Sequence, residues 1–112
     1  MTVNKAIVLA DGLRMNTVSD EQKALWLFTL DSDIADMMEQ EVKNTFPHDR
    51  ELLLPESDCD VYVKYLVAMI DYFNREVELY QNDLTLFNEA FDKACARYRR
   101  NNRPQKKYKW EV

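Results

Sequence analysis

Apolar residues recur at helical spacing through most of the chain and predict four α-helices. The predicted helices span about residues 3–15, 20–43, 58–74 and 76–101. Ser19 and Gln22 form the most distinct helix start, because a serine followed three residues later by glutamine is a capping box. Thr2 precedes the first helix and is expected to cap it in a similar way.

The last predicted helix carries a heptad-like apolar seam, and its members lie three or four residues apart. The seam consists of Val77, Tyr80, Leu84, Phe87, Phe91, Ala94 and Tyr98. No proline or glycine separates this helix from the preceding one, so a single long helix is an alternative. We favour a turn at Asn74 and Arg75, because two helices with wide apolar faces cover each other when they form an αα-hairpin.

The longest irregular stretch spans residues 44–57 and contains two prolines, Pro47 and Pro55. Each proline disfavours a helical conformation in the residue before it. The leucines of segment 51–54 are therefore predicted to form an extended clip that docks over the helices. The run Asp31-Ser32-Asp33 contains poor helix formers, so a bend or split of the second helix is possible there.

Composition supports an all-α fold. The chain has 112 residues, which suits a single helical domain over residues 1–103 followed by an extended basic tail over 104–112. Gly12 is the only glycine, whereas β proteins usually need glycine in their many tight turns. The expected architecture is thus a small four-helix domain with a C-terminal αα-hairpin and one long irregular loop.

Charge is distributed unevenly along the chain. The net charge is −5, but residues 97–112 contain seven basic residues and one acid, giving +6 there and −11 over the remainder. A basic tail on an acidic body is expected to meet a negatively charged partner, either nucleic acid or the acidic body of another copy. A solvated tail that only maintains solubility is the simpler alternative.

The basic end interleaves cations with aromatic residues and forms the candidate partner-binding site. Its residues are Arg99, Arg100, Arg103, Lys106, Lys107, Tyr108, Lys109 and Trp110. Such a mixture can hold phosphates and stack on bases. It can also anchor the tail on a protein through Tyr108 and Trp110. We favour a protein partner, because the acidic body would repel DNA.

No catalytic or metal-binding motif is apparent, so neither an enzyme nor a cofactor is predicted. His48 is the only histidine, which excludes zinc sites built on paired histidines. Asp31-Ser32-Asp33 and Asp58-Cys59-Asp60 lack the glycine and distal glutamate of a calcium loop. Each is interpreted as a helix-capping or surface cluster.

The two cysteines, Cys59 and Cys95, are far apart in sequence and do not indicate a disulfide framework. Cys95 is expected on an apolar helix face. Cys59 lies between two aspartates, which should raise the pKa of its thiol and keep it unreactive. Neither a signal peptide nor an apolar run long enough to cross a membrane is apparent, so a reducing cytosolic setting without membrane contact is predicted.

From about Ser19 to Pro104 the chain resembles a family of small phage proteins, most clearly after Glu51. The resemblance rests on the sequence stretches ELLLP (51–55), YVKYL (62–66), IDYFN (70–74), YQN (80–82) and LFNEAF (86–91). Similar proteins occur with capsid and portal proteins in tailed phages and prophages of Gram-positive bacteria. They are usually regarded as head–tail connector proteins, also called head completion or neck adaptor proteins.

The resemblance implies a structural subunit of the virion neck that is present in the host cytoplasm during assembly. Such subunits form a ring beneath the portal, commonly of about a dozen copies, although an isolated subunit can be monomeric. The ring would extend the DNA channel, let DNA pass without specific binding, and provide a platform for neck and tail proteins. The alternative from the residues alone is a small helical nucleic-acid-binding regulator that uses the basic tail.

Overall fold

The computed structural model describes residues 1–41 and 49–102. Their elements are α1 (Val3–Leu13), α2 (Asp20–Met38), a 3-10 turn (Glu56–Asp58), α3 (Asp60–Phe73) and α4 (Val77–Asn101). The only strand-like pairing in this part of the chain is an isolated bridge between Thr2 and Glu51. The predicted all-α fold with four helices is therefore confirmed.

Helix α3 is the central element, and the other three helices pack around it. Its sequence is apolar on nearly every side, and a helix of this kind is stable only when it is surrounded. Its buried apolar residues are Val61, Tyr62, Val63, Leu66, Val67, Ala68 and Ile70. Because α3 lies between them, α1, α2 and α4 share one hydrophobic core with it.

The predicted turn between α3 and α4 is confirmed, and the two helices form an αα-hairpin. The backbone N–H of Glu76 donates to the carbonyl of Asp71 at 2.9 Å and closes the turn. Arg75 adopts φ 61°, in the left-handed region, which lets the chain reverse without glycine. Tyr65 of α3 packs against Phe87 of α4 with ring centroids 5.1 Å apart.

The heptad-like seam of α4 is only partly buried. Phe87 and Ala94 are buried, and the intermediate members are Tyr80, Leu84, Phe91 and Tyr98. Val77 is 63 % exposed, and Phe73 at the end of α3 is 51 % exposed. The predicted seam is therefore wrong at Val77, because α4 packs mainly on α3 and this contact leaves the first residue of α4 exposed.

Helix α2 is continuous, so the chain is not split at Asp31-Ser32-Asp33. Asp31 is fully buried, so its interpretation as part of a surface or capping cluster is wrong. The helix ends at Met38, short of the predicted residue 43. Glu39 terminates it with φ 55° and donates its backbone N–H to the last carbonyls, as left-handed caps do.

The helix starts follow the predicted caps. Oγ1 of Thr2 accepts a hydrogen bond from the backbone N–H of Lys5 at 3.2 Å, and Oγ of Ser19 accepts one from Gln22 at 3.1 Å. The other predicted helix ends shift by one or two residues, with α1 stopping at Leu13 rather than residue 15. Helix α3 begins at Asp60 rather than residue 58, because the 3-10 turn precedes it.

The predicted leucine clip is confirmed for the described residues from 49 onward. Leu52 and Leu54 are buried, with 5 % and 3 % of their surfaces exposed. The backbone N–H of Leu52 donates to the carbonyl of Met1 at 2.9 Å, and that of Val3 donates to Arg50 at 3.0 Å. These hydrogen bonds join the extended segment to the start of α1.

Candidate interaction surface

Three large apolar side chains are exposed where the α3–α4 hairpin turns, a region called here the hairpin tip. They are Tyr72, Phe73 and Val77, with 64 %, 51 % and 63 % of their surfaces exposed. Tyr72 packs against Tyr80 with ring centroids 5.5 Å apart, and both rings line a shallow depression at the turn. Because these side chains are adjacent, they form a patch of the kind that marks an interaction site.

Helix α1 exposes a second set of apolar side chains beside α3. Val8 and Leu13 are each 65 % exposed, and Leu9 is 39 % exposed. They line a shallow groove with Val63 of α3. Gly12 lies in this groove with open space where a side chain would project. The groove therefore offers a second apolar surface to a partner.

Helix α4 combines exposed apolar residues with a strong separation of charge. Leu79 and Leu86 are 38 % and 48 % exposed, because neither belongs to the seam that packs on α3. Segment 76–92 contains five acids and no lysine or arginine, whereas segment 93–101 contains four basic residues and no acid. We call these the acidic segment and the basic segment of α4.

The structure places two of the eight predicted partner-binding residues. Arg99 and Arg100 are exposed in the last turn of α4, where positive charge also interacts favourably with the helix C-terminus. The nearby Arg97 differs, because its guanidinium forms an ion pair with the carboxylate of Asp58. The other predicted residues lie outside the described part of the chain: Arg103, Lys106, Lys107, Tyr108, Lys109 and Trp110.

The ion pair with Arg97 also corrects the interpretation of Asp58. Its side chain is 8 % exposed, so it belongs to a buried contact between the 3-10 turn and α4 rather than to a surface cluster. Asp60, two residues later, is exposed in the first turn of α3 and pairs with Lys64 at 3.1 Å. The two aspartates around Cys59 therefore have different roles.

A buried charge cluster joins α1, α3 and α4. Arg14 Nε lies 2.8 Å from Oδ1 of Asp71, and Arg14 Nη2 lies 2.6 Å from Oδ2 of Asp83. Asp71 is fully buried. Burial and the neighbouring Asp83 carboxyl raise the pKa of Asp71 to about 7, although the Arg14 charge acts in the opposite direction. One guanidinium thus serves two carboxyl groups, which favours a proton on one of them.

A second buried network holds the leucine clip on α2 and α3. The hydroxyl of Tyr62 donates to Oδ1 of Asp31 at 2.6 Å and accepts a hydrogen bond from the backbone N–H of Leu54 at 2.9 Å. Arg50 Nη1 pairs with Oδ2 of Asp31 at 2.7 Å. Burial and the hydrogen bond with Asp31 raise the pKa of Tyr62, so the phenol stays neutral. This arrangement satisfies buried polar groups and indicates a structural role.

Cys59 is buried, and its predicted raised pKa is confirmed with a different cause. Burial contributes most, while Glu56 and Glu51 raise the pKa further rather than the two adjacent aspartates. Cys95 is half-buried on α4, with its sulfur 3.3 Å from that of Met37. Burial raises the pKa of this thiol as well.

Two further findings on the described residues concern metal ions and membranes. Within segments 1–41 and 49–102, no group of three or more His, Cys, Asp or Glu side chains could hold a metal ion. The helices in the same two segments are too short or too polar to cross a membrane. His48 lies outside the described residues.

Sequence reasoning missed both the apolar patches and the buried aspartates. Asp71 follows the buried Val67 by four residues on α3, so helical spacing places it on a buried face. That position could have identified it as a buried carboxylate. The exposure of Tyr72 and Phe73 had no comparable signal, because it depends on where the neighbouring helices end.

Comparisons of the chain with known protein families, with curated proteins and with solved structures find no match.

Proposed function

We propose that the protein is a structural subunit of a phage head–tail connector. Several copies would form a ring beneath the portal, extend the DNA channel and provide a platform for neck and tail proteins. Its place would be the virion neck, with a stage in the host cytoplasm during assembly. The proposal starts from the resemblance of the ELLLP, YVKYL and IDYFN stretches to such proteins.

The observation that carries this proposal is the exposed apolar surface at the hairpin tip. Tyr72, Phe73 and Val77 are each more than half exposed, and together they form one patch rather than scattered single residues. Burying a fully exposed apolar side chain of this size yields about 1.5–3 kcal/mol, and roughly half of that remains available at each of these residues, so contacts with other subunits would stabilise this patch. An exposed apolar patch of this kind is expected on a protein that assembles with other subunits.

Charge supports the same function. The chain outside residues 97–112 has a net charge of −11, so most of its surface repels phosphate. A channel with acidic walls lets DNA pass without holding it. The exposed Arg99 and Arg100, with the basic residues that follow them, would contact the portal or a neighbouring subunit.

Electron microscopy of the purified protein mixed with the portal protein of the same phage tests this proposal. We expect a ring of subunits bound to one end of the portal, with native mass spectrometry giving its copy number. A variant with Tyr72→Ser and Val77→Ser should bind less, whereas Glu21→Gln on the exposed start of α2 should leave binding unchanged. Absence of any complex with the portal would contradict the connector function.

The nucleic-acid-binding regulator is the second candidate, and the exposed pair Arg99 and Arg100 next to a basic tail favours it. A gel-shift experiment with duplex DNA and with RNA separates the two functions. Strong binding that disappears when residues 103–112 are removed, and that weakens steeply with added salt, would favour the regulator. A connector subunit should bind only weakly and without sequence preference.

A further inference from the structure

Helix α4 presents opposite charges at its two ends, and apart from Asp83 and Arg97 these charges form no ion pair within the described residues. Glu76, Glu78, Glu89 and Asp92 are exposed in the acidic segment and form no ion pair in the described part of the chain. Lys93, Arg99 and Arg100 are likewise exposed and without an ion-pair partner there. Two complementary surfaces therefore lie on the same rigid helix.

The acidic segment also carries the apolar residues that an interface needs. Val77, Leu79 and Leu86 are exposed between its acids, and the hairpin tip extends the apolar surface at its start. An interface combines a central apolar area with a charged rim, and opposite charges select the orientation of the partner. A surface of this composition fits a basic segment that contains aromatic or aliphatic side chains.

The chain itself contains such a segment. Arg99 and Arg100 are followed by four more basic residues, and Tyr108 and Trp110 lie among them. The basic C-terminal end and the acidic segment thus have matching chemistry. A second copy of the same chain therefore has the chemistry to occupy both the acidic segment and the hairpin tip.

Distance keeps the chain's own end from the hairpin tip, whereas the later part of the acidic segment, nearer the end of α4, lies within its reach. Helix α4 rises about 1.5 Å per residue, so Asn101 lies about 36 Å along the axis from Val77. A fully extended chain covers at most about 3.6 Å per residue, so Trp110 lies within about 32 Å of Asn101 in any conformation. The aromatic residues of the tail therefore fall short of the hairpin tip of their own chain.

We propose that copies of this protein associate end to end through α4. The hairpin tip and acidic segment of one copy receive the basic segment and residues 103–112 of the next. Such a contact is heterologous, because each copy uses two different surfaces, and repetition with a constant rotation closes a ring. This inference specifies the subunit contact of the proposed connector, but it concerns self-association and is testable without the portal.

Neutralising variants test the contact by sedimentation velocity at low ionic strength, from micromolar to near-millimolar protein. The acidic-surface variant is Glu76→Gln with Glu78→Gln, and the basic-surface variant is Arg99→Gln with Arg100→Gln. We expect wild-type protein to associate with increasing concentration and each variant to associate at least about tenfold more weakly. Glu21→Gln with Glu41→Gln, which changes the net charge by the same amount as the acidic-surface variant, should match the wild type.

Mixing the two variants tests whether the acidic and basic surfaces bind each other. The intact basic segment of the first variant should bind the intact acidic surface of the second and give a 1:1 complex that grows no further. A mixture no more associated than its components would show that these surfaces do not bind each other, and wild-type association that stops at a dimer would show a symmetric contact. Either of these results, or a wild-type protein that stays monomeric throughout, would overturn the proposal.

The portal experiment distinguishes failure of this inference from failure of the connector function. If the variants form normal rings on the portal, the subunit contact lies elsewhere while the connector function stands. If wild-type copies associate through α4 but ignore the portal, the contact is correct and the connector function is wrong.

Discussion

Arg14 and Asp71 form an ion pair that connects the end of α1 to a fully buried carboxyl group on α3, with Nε and Oδ1 2.8 Å apart. The two atoms are close but not aligned for a hydrogen bond. The same guanidinium also binds Asp83 of α4 at 2.6 Å. Three helices thus depend on one charge cluster next to the hairpin tip.

This cluster predicts that acid stabilises the fold through Asp71. Its pKa is raised from 3.8 to about 7, so the folded state holds a proton that the unfolded state releases. The contribution of this one proton to the free energy of unfolding is complete below about pH 4 and is lost as the pH rises to about 7. The slope for one group is at most about 1.4 kcal/mol per pH unit.

Urea unfolding at several pH values between 4.5 and 8.5 measures this effect as the difference between wild type and Asp71→Asn. We expect the stability of the wild type, relative to that of the variant, to fall toward pH 7 and then level off. Asp60→Asn, at an exposed position of the same helix, is the control and should show no such trend. A difference between wild type and Asp71→Asn that stays constant with pH would contradict the assignment.

Removing the hydroxyl of Tyr62 should destabilise the protein by about 1–3 kcal/mol, because the backbone N–H of Leu54 would lose its buried acceptor. Tyr62→Phe keeps the ring and deletes only that oxygen, so denaturant unfolding reports the hydrogen bonds alone. Tyr72→Phe removes a hydroxyl from a side chain that is 64 % exposed and should change stability by less than about 0.5 kcal/mol. Equal effects of the two changes would show that the network contributes little.

Arg75→Gly should raise the thermal midpoint of unfolding. Arg75 adopts φ 61°, a conformation that costs a residue with a side chain about 1 kcal/mol and costs glycine little. Gln81 lies exposed within α4, so Gln81→Gly provides the opposite comparison. This change should lower the free energy of unfolding by about 1 kcal/mol. A lower midpoint for Arg75→Gly would mean that the arginine side chain has a stabilising contact.

The two cysteines should differ in reactivity toward a thiol reagent in the native protein. Cys59 is only 2 % exposed, and burial raises the pKa of its thiol, so it should react only when the protein opens. Cys95 is half-buried and should react first. Labelling of Cys59→Ser should thus resemble wild type, whereas Cys95→Ser should label much more slowly. Rapid labelling of Cys95→Ser would contradict the burial of Cys59.

Helical spacing and caps were sufficient to predict the four helices. Ser19 with Gln22 defined the start of α2, and the Leu52–Leu54 clip followed from the prolines beside it. The turn at Arg75 was also predicted, because two wide apolar faces bury more surface as a hairpin than as one helix. These features depend on local chain chemistry and on the apolar content of each segment.

The sequence by itself determined the helices, their order and the separation of charge along α4. Only the tertiary structure decided which polar residues became buried, since Asp31 and Asp71 acquire their partners from segments distant in the chain. It also decided which apolar residues stayed exposed. Periodicity identifies an apolar face, but it does not show that Val77 stays exposed, because burial depends on which distant segments pack against that position.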